Sequence, residues 1–251
     1  MELSHFINGD CNNVLIDLWE QNIKVDAIIA DIPYYSVVEN DWDNQWRDVS
    51  DYLYWCNTCF NNCYNILKDG GSVFIFTGRQ YNRQICMELD KSFREKRIII
   101  WARKRAFNNT RGNALASGYE PICYYTKGRK DCTFNNLKIK VDSKRSEYTK
   151  GYLKDGISLS DVWTDIPALP HNSKEKVNHP TQKPIKLIQR CIEICTNKGD
   201  TILDFCSGSG TTGIAAKLLG RNFICIEKDT NYHNVALQRY RDMFSEEPDV
   251  F

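Results

Sequence analysis

The stretch Asp31-Ile32-Pro33-Tyr34 combines residue types that could activate an amino group. An amine attached to a planar ring is a poor nucleophile, because its lone pair is delocalised into the ring. The Asp31 carboxylate and the Ile32 carbonyl could accept its two N–H bonds, while Pro33 fixes the backbone. Tyr34 offers an aromatic face on which a flat ring could stack. The alternative is an ordinary turn, since Asp and Pro are common in turns.

A glycine-rich turn lies near the other end of the chain. Gly208, Gly210 and Gly213 follow the pattern G-x-G-x-x-G, which permits a tight turn and a close approach of ligand to backbone. Free amides at the start of the next helix favour an anionic group. The alternative is a turn that only packs strand against helix. The predicted ligand-binding residues of this turn are Cys206, Gly208, Ser209, Gly210 and Thr211.

Two carboxylates flank this turn and bear on the choice of ligand. Asp204 precedes the glycines, where it would repel a pyrophosphate and attract an ammonium group. Glu227 ends the next predicted strand, where it could bind two ribose hydroxyls. Only about forty residues follow Gly210, whereas a dinucleotide-binding fold continues into a second half. A nicotinamide-dependent oxidoreductase stays open as an alternative, but it leaves the D-I-P-Y turn without a role.

The elements that must position these residues can be predicted from hydrophobic periodicity. Alternating strands and helices indicate an α/β doubly wound, largely parallel, Rossmann-like sheet, in which both motifs follow strand ends. Strands are predicted at 25–30, 72–77, 97–101, 122–125, 201–205 and 222–226. Helices are predicted at 47–67, 80–92, 185–196, 211–219 and 231–243.

Composition excludes several classes of protein. The chain has no run of about 18 apolar residues and no basic-then-apolar start, so we expect no membrane span or secretory signal and a cytoplasmic location. An odd count of eleven cysteines argues against a disulfide framework. Cys56, Cys59 and Cys63 share one helical face, which indicates small buried residues in preference to a metal or iron–sulfur site.

Charge is distributed unevenly. The net charge is only +1, but residues 103–154 hold 13 Lys and Arg against 4 Asp and Glu. Such a basic region can mark a nucleic-acid face, although a solvated surface is the alternative. Arg103, Lys104, Arg105 and Arg111 are the predicted nucleic-acid contacts in this region.

Together these motifs resemble those of the amino-group DNA methyltransferases. That family has a D-P-P-Y type tetrapeptide and an F-x-G-x-G type cofactor loop; Ile32 replaces the commoner proline, but only its carbonyl is required. The segment 178–184, N-H-P-T-Q-K-P, resembles a third family element. The resemblance implies S-adenosylmethionine as cofactor and no metal. Lys183 would bind the carboxylate of the methionine moiety, and Asp10 the adenine amino group.

The resemblance extends from Gly9 to about Tyr240, with the tetrapeptide before the cofactor loop. This order resembles the beta arrangement, a circular permutation of the usual methyltransferase order. It implies a catalytic half at 1–126, a target-recognition insert at 127–178 and a cofactor-binding half at 179–251. Relatives with this arrangement are often dimers, so a homodimer is possible by analogy.

The implied function is site-specific methylation of the 6-amino group of a flipped-out adenine in double-stranded DNA, as in restriction–modification systems. An aspartate at position 31 usually accompanies adenine in relatives, while N4-cytosine methylation is the nearest alternative. Relatives that methylate protein glutamine or RNA usually place the cofactor loop first. A regulator with an inactive methyltransferase fold is a further alternative, which the intact Asp31 and Tyr34 argue against.

Overall fold

The computed structural model describes residues 4–37, 39–107, 115–129, 131–139, 156–170 and 172–250. Across these ranges, strands and helices alternate as the hydrophobic pattern predicts. The strands are β1 (Ser4–Asn8), β2 (Val25–Asp31), β3 (Leu67–Phe76), β4 (Arg94–Phe107), β5 (Ser117–Thr126), β6 (Lys138–Ile139), β7 (Ile157–Ser158), β8 (Val162–Trp163), β9 (Thr201–Asp204), β10 (Asn222–Glu227) and β11 (Asp249–Val250). The helices are α1 (Cys11–Glu20), α2 (Val49–Ile66), α3 (Asn82–Leu89), α4 (Ile185–Cys195), α5 (Thr211–Leu218) and α6 (Thr230–Phe244).

The central sheet of the described residues has nine strands in the order β11-β1-β10-β9-β2-β3-β5-β4-β8. Neighbouring strands are parallel except where β5 pairs antiparallel with β3 and β4. The predicted α/β fold with a largely parallel sheet is confirmed. The permuted order of its parts stays a prediction.

Helices cover both faces of the sheet. Helices α1, α2 and α3 pack on one face around a core that includes Leu15, Phe60 and Ile85. Helices α4, α5 and α6 pack on the other face. The central strands β2 and β9 are buried on both sides, which explains their continuous apolar runs.

The first two elements of the chain were not among the predicted ones. Strand β1 is short, and helix α1 begins where the Asp10 side chain accepts a bond from the Asn12 amide. Helix α3 is shorter than the predicted 80–92, and β4 is longer than the predicted 97–101. Pro184 lies at the N-cap of α4, immediately before its first helical residue.

The predicted insert, 127–178, does not stand apart from the sheet. Its described residues form the two-stranded β6–β7 pair and the edge strand β8, which pairs with β4. Trp163 of β8 is buried in the main core. The structure therefore joins part of the predicted insert to the main domain, and the three-part division of the chain stays a prediction.

The cysteines of α2 are core residues. Cys56, Cys59 and Cys63 are all buried in the layer beneath α1 and α2, which confirms their interpretation as small apolar side chains. Within the described ranges, no cluster of His, Cys, Asp and Glu has an arrangement that could hold a metal ion. None of the described helices has the length and apolar character to cross a bilayer.

Candidate active site

The carboxyl ends of β2, β9 and β10 open into one cavity of about 360 Å³. These three strands are neighbours in the sheet, so Asp31, Asp204 and Glu227 reach the same edge from sequence positions far apart. The walls include the whole D-I-P-Y tetrapeptide and the glycine-rich turn. The topology thus brings the two sequence motifs together in one site.

A buried carboxylate holds the turn that follows the tetrapeptide. Asp43 Oδ1 accepts hydrogen bonds from the amides of Tyr34 (2.7 Å) and Tyr35 (2.9 Å), and Oδ2 accepts one from the Val37 amide (2.6 Å). Tyr35 and Ser36 both have left-handed backbone angles, with φ of 58° and 57°. Such angles are unfavourable for residues with a Cβ, so the three bonds to Asp43 stabilise a strained turn.

Two further contacts fix the tetrapeptide itself. The Tyr52 hydroxyl, on α2, donates to the Pro33 carbonyl at 2.7 Å. The Tyr34 ring lies directly on Gly78 at the end of β3, where an added Cβ would stand only 3.0 Å from the Cβ of Tyr34. The base of the Tyr34 side chain is therefore packed closely against main chain.

The carboxylate of Asp31 belongs to a cluster of alternating charges. Lys183 Nζ is 2.6 Å from Asp31 Oδ2 and 3.4 Å from Glu120 Oε2. The Tyr34 hydroxyl lies 2.9 Å from Asp31 Oδ1 and 3.2 Å from Glu120 Oε2. Arg103 Nη1 pairs with Glu120 Oε1 at 2.7 Å. The ion pairs run from Arg103 through Glu120 and Lys183 to Asp31.

Burial and these charges shift three pKa values. Burial raises the pKa of Asp31, although the Lys183 ammonium opposes the shift. Burial would lower the pKa of Lys183, but the carboxylates of Asp31 and Glu120 raise it above its usual range. Burial and the same carboxylates raise the pKa of Tyr34 well above its usual range, so the phenol stays protonated. Lys183 therefore remains a cation.

The glycine-rich turn is held by the two carboxylates that flank it. Asp204 Oδ1 accepts from the Cys206 amide (3.0 Å), and Oδ2 accepts from the Thr212 hydroxyl (2.6 Å). Burial raises the pKa of Asp204 to about 7. Glu227 Oε2 accepts from the Gly208 amide at 2.7 Å, and burial raises the pKa of this carboxyl too. Both acids still line the cavity.

The residues around this turn that line the cavity, here called the cradle, fit a polar ligand; they are His179, Ser207, Gly208 and Glu227. Gly208 has φ of +49°, and a Cβ there would stand 2.7 Å from His179 Nε2. Within the described residues, the buried Ser207 Oγ and His179 Nδ1 have no hydrogen-bond partner, and both residues line the cavity. Burial lowers the pKa of His179 to about 4, so the ring is neutral. Unpartnered buried polar atoms are expected where a ligand supplies the partner.

The N6/N4 DNA methylase family model matches residues 25–238, which span the tetrapeptide, the charge cluster and the cradle. The chain belongs to this DNA methylase family. The predicted membership of the amino-group DNA methyltransferases is confirmed. Members of the family use S-adenosylmethionine, so the predicted cofactor is confirmed as well, and the cradle has the features that such a ligand requires.

Three curated relatives are similar over most of the chain. Type II methyltransferase M.BamHI of Bacillus amyloliquefaciens is 31% identical over 238 residues, which cover 90% of this chain and 55% of that protein. Type II methyltransferase M.HpaI of Haemophilus parainfluenzae is 30% identical over 239 residues, covering 94% and 74%. DNA adenine methyltransferase YhdJ of Escherichia coli (strain K12) is 32% identical over 229 residues, covering 86% and 76%. The chain thus spans about half the length of M.BamHI.

Solved structures share the fold. The M1.HpyAVI–SAM complex matches with a TM-score of 0.66 and 26% identity, covering 94% of this chain and 99% of that one. PvuII DNA methyltransferase, described as cytosine-N4-specific, matches with a TM-score of 0.71 and 16% identity, covering 95% and 89%. At 16% identity, the match to PvuII DNA methyltransferase supports the shared fold alone.

Two predicted site residues take part in ion pairs of this cluster, and their contacts with cofactor and DNA stay predictions. Lys183, predicted at the carboxylate of the cofactor, has its ammonium between the carboxylates of Asp31 and Glu120. Arg103 was expected to contact DNA, but its side chain is only 10% exposed and pairs with Glu120. The Lys104 and Arg105 side chains and the whole of Arg111 lie outside the described residues.

The remaining predicted cofactor residues surround the cavity in different ways. Asp10 caps α1 and lies 3.3 Å from the Lys228 ammonium at the rim. Ser209 and Thr211 line the cavity, and the buried Arg239 donates to the Ser209 carbonyl and the Thr211 hydroxyl. Gly210 instead packs against the core, where a Cβ would stand 2.7 Å from Ala236 and 2.9 Å from Phe6. Direct contact of these residues with the cofactor stays a prediction.

Cys206 is one of three neighbouring cysteines near the wall of the cavity, together with Cys11 and Cys59. Cys11 and Cys206 both line the cavity, and Cys11 Sγ lies 3.7 Å from Cys59 Sγ. A hydrogen bond with Cys206, and to a lesser extent one with Cys59, lowers the pKa of the Cys11 thiol to about 5. Cys11 is therefore the more acidic thiol at this wall of the cavity.

Sequence reasoning missed the residues that hold the catalytic turn. Asp43, Tyr52, Gly78 and Glu120 have no motif around them that marks a site. Glu120 alone offers a signal, because it is a charged residue just before the apolar run of β5. Asp43 is fully buried although it lies in a polar segment, and nothing in the sequence pattern indicates that burial.

Proposed function

We propose that the protein is an S-adenosylmethionine-dependent DNA methyltransferase that methylates the 6-amino group of adenine. The observation that carries the proposal is the shared cavity: Asp31, Ile32 and Tyr34 line the same space as the cradle around Gly208. An amine acceptor pair and a cofactor cradle in one cavity are what a direct transfer requires, because proximity and alignment lower its barrier.

The chain's own residues account for the steps around the transfer. When bound, S-adenosylmethionine supplies a methyl group on a positively charged sulfur. The cradle residues Ser207, Gly208 and Glu227 would hold it. The Asp31 carboxylate and the Ile32 carbonyl accept the two N–H bonds of the target amine and so localise its lone pair. As the amine gains the methyl group it loses a proton, for which Asp31 is the acceptor.

The target base has to leave the duplex to reach this cavity. Tyr34 supplies a ring on which an extrahelical base can stack, and Gly78 packs against the base of that side chain. Stacking of this kind contributes roughly 1–3 kcal/mol per base in single-strand binding. Double-stranded DNA is accordingly the proposed substrate, with Lys104, Arg105 and Arg111 as its proposed phosphate contacts.

The choice of adenine rests on similarity and not on geometry. The DNA adenine methyltransferase YhdJ is 32% identical to the chain, and the tetrapeptide opens with Asp31. Adenine and cytosine amines both need two acceptors, so the site chemistry supports either base. N4-cytosine methylation is the second candidate.

The experiment is transfer of a tritiated methyl group from S-adenosylmethionine to unmethylated genomic DNA, followed by separation of the nucleosides. Label in N6-methyladenine is the expected result, and label solely in N4-methylcytosine would change the base assignment. Calorimetry with S-adenosylhomocysteine and NAD is run in parallel. Tight binding of NAD without transfer to DNA would refute the proposal.

A further inference from the structure

The position of Lys183 presents an obstacle to the proposed reaction, on which this inference rests. Lys183 Nζ contacts Asp31 Oδ2 at 2.6 Å, while the Tyr34 hydroxyl contacts Asp31 Oδ1 at 2.9 Å. Both oxygens of the carboxylate thus already have a strong donor. A target amine that approached Asp31 would meet an ammonium group with no acceptor to offer. An ionised carboxylate has about four acceptor sites, so the amine takes the place of Lys183 at Oδ2 only if the ammonium moves.

Glu120 is placed to receive this cation. Its Oε2 lies 3.4 Å from Lys183 Nζ and 3.2 Å from the Tyr34 hydroxyl, while its Oε1 is held by Arg103. A displacement of about 0.5 Å shortens the longer contact to the usual length of a hydrogen bond. The lysine stem is flexible enough for such a shift.

Burial explains why the cation needs a second partner. The Lys183 side chain is only 6% exposed, and a buried ammonium without a counter-charge is unfavourable by several kcal/mol. If Lys183 left Asp31 without Glu120, it would become an unpaired buried charge. With Glu120 in place it exchanges one carboxylate for another and stays paired throughout.

We propose that Lys183 is a movable cation that caps Asp31 in the empty site, and that Glu120 is the positioning residue that receives it when the target amine binds. The cap keeps Asp31 ionised and oriented before the base arrives. Glu120 acts through Lys183 and touches neither base nor cofactor. Arg103 completes the arrangement by anchoring the opposite oxygen of Glu120.

Two crystal structures test the resting position without any turnover. The full chain is crystallised alone and with S-adenosylhomocysteine. We expect Lys183 within hydrogen-bond distance of Asp31 in both, because the amine and not the cofactor displaces it. An ammonium that moves onto the carboxylate of S-adenosylhomocysteine would overturn the proposal.

Kinetics test the role of Glu120. Glu120→Gln keeps the shape but removes the receiving charge, so kcat should fall roughly 10- to 100-fold while KM for S-adenosylmethionine stays within about twofold. Glu120→Asp should recover part of the loss. Because the Glu120 charge raises the pKa of Asp31, Glu120→Gln should also move the acid limb of the kcat–pH profile to lower pH. This shift reports the charge of Glu120 beside Asp31, while a fall in kcat at unchanged KM reports its receiving role.

Two controls separate this role from others. In Glu120→Gln with Arg103→Gln, the cationic partner of Glu120 is neutralised together with the carboxylate, so recovery of wild-type kcat at saturating DNA would overturn the proposal. We expect the double variant to stay within about threefold of Glu120→Gln. Glu95→Gln, an exposed carboxylate on β4, should keep wild-type kcat. Wild-type kcat in Glu120→Gln would also overturn the proposal.

If the wild type transfers no methyl group to DNA, the proposed function fails, and the two crystal structures still decide the position of Lys183.

Discussion

The two turns that build the site are held in different ways. Two acids bond to the cofactor turn: Asp204 ends the strand before it, and Glu227 ends the neighbouring strand β10. The catalytic turn is bonded by Asp43, which is six to nine residues away in sequence, and by Lys183, which is 152 residues from Asp31. The catalytic turn therefore combines a nearby carboxylate with contacts that depend on the assembled fold. Substitutions should affect them differently.

The largest effect is expected at Asp31. Asp31→Ala removes the side-chain acceptor of the target amine and the partner of Lys183, so turnover should fall roughly 10²- to 10⁴-fold. Affinity for S-adenosylhomocysteine should stay within about threefold, since the cofactor turn keeps its own bonds. Rates come from labelled transfer and affinities from calorimetry. An equal loss in both would mean that the two turns are not independent.

Substitution of Asp43 should break the catalytic turn alone. In the wild type, both carboxylate oxygens of Asp43 accept backbone N–H bonds. Asp43→Asn replaces one of these acceptors with an NH₂ donor, so we expect a loss of roughly 1–3 kcal/mol in unfolding free energy. The kcat should fall at least tenfold, because the left-handed turn at Tyr35 loses its support. Exposed Asp41→Asn, two residues earlier, is the matched control. Unchanged kcat with lowered stability would limit Asp43 to a structural role.

Gly208→Ala should produce the reverse pattern. A Cβ would meet His179 Nε2 at 2.7 Å on a residue with left-handed φ, so the cradle must shift. We expect weaker binding of S-adenosylhomocysteine, by about tenfold, with the catalytic turn intact. Gly128→Ala, also left-handed but in open space, controls for backbone strain. Wild-type affinity in Gly208→Ala would show that the ligand does not approach this residue.

These contrasts explain what the sequence could predict. The glycine pattern is contiguous with Asp204 in sequence, so local reasoning found the turn, while the cofactor followed from the resemblance. For the tetrapeptide it found the residues but not their support, because Asp43 lies in a polar segment without a motif, and Tyr52 and Glu120 meet the tetrapeptide only through the tertiary fold. Lys183 shows the same limit: its motif was recognised, but its partner depended on where β5 placed Glu120. Asp10 was recognised while the surrounding β1 and α1 were not predicted as elements.

The pH dependence of stability should separate the two turns further. Burial raises the pKa of Asp204 from 3.8 to about 7, so folding favours its protonated form. Its contribution is complete below about pH 4 and is lost as pH rises through 7. Asp204→Asn should therefore flatten the fall in unfolding free energy between pH 4 and 7. Urea unfolding at several pH values measures this, and an unchanged slope would contradict the shifted pKa.

The smallest effect is expected from Tyr34→Phe. The ring and its support by Gly78 remain, so base stacking should persist, while the hydroxyl links to Asp31 and Glu120 are lost. We expect less than about a tenfold fall in kcat, against a larger fall for Tyr34→Ala. If Phe and Ala were equally impaired, the hydroxyl and not the ring would carry the role of Tyr34.

The central claim is that this cavity methylates an exocyclic base amine in DNA. The most direct test is nucleoside mass spectrometry of total DNA from methylation-deficient cells that express either the wild-type chain or Asp31→Ala. We predict N6-methyladenine in the DNA of wild-type cells and none above background with Asp31→Ala. The absence of any methylated amine in DNA from cells with folded, S-adenosylhomocysteine-binding wild-type protein would contradict the account.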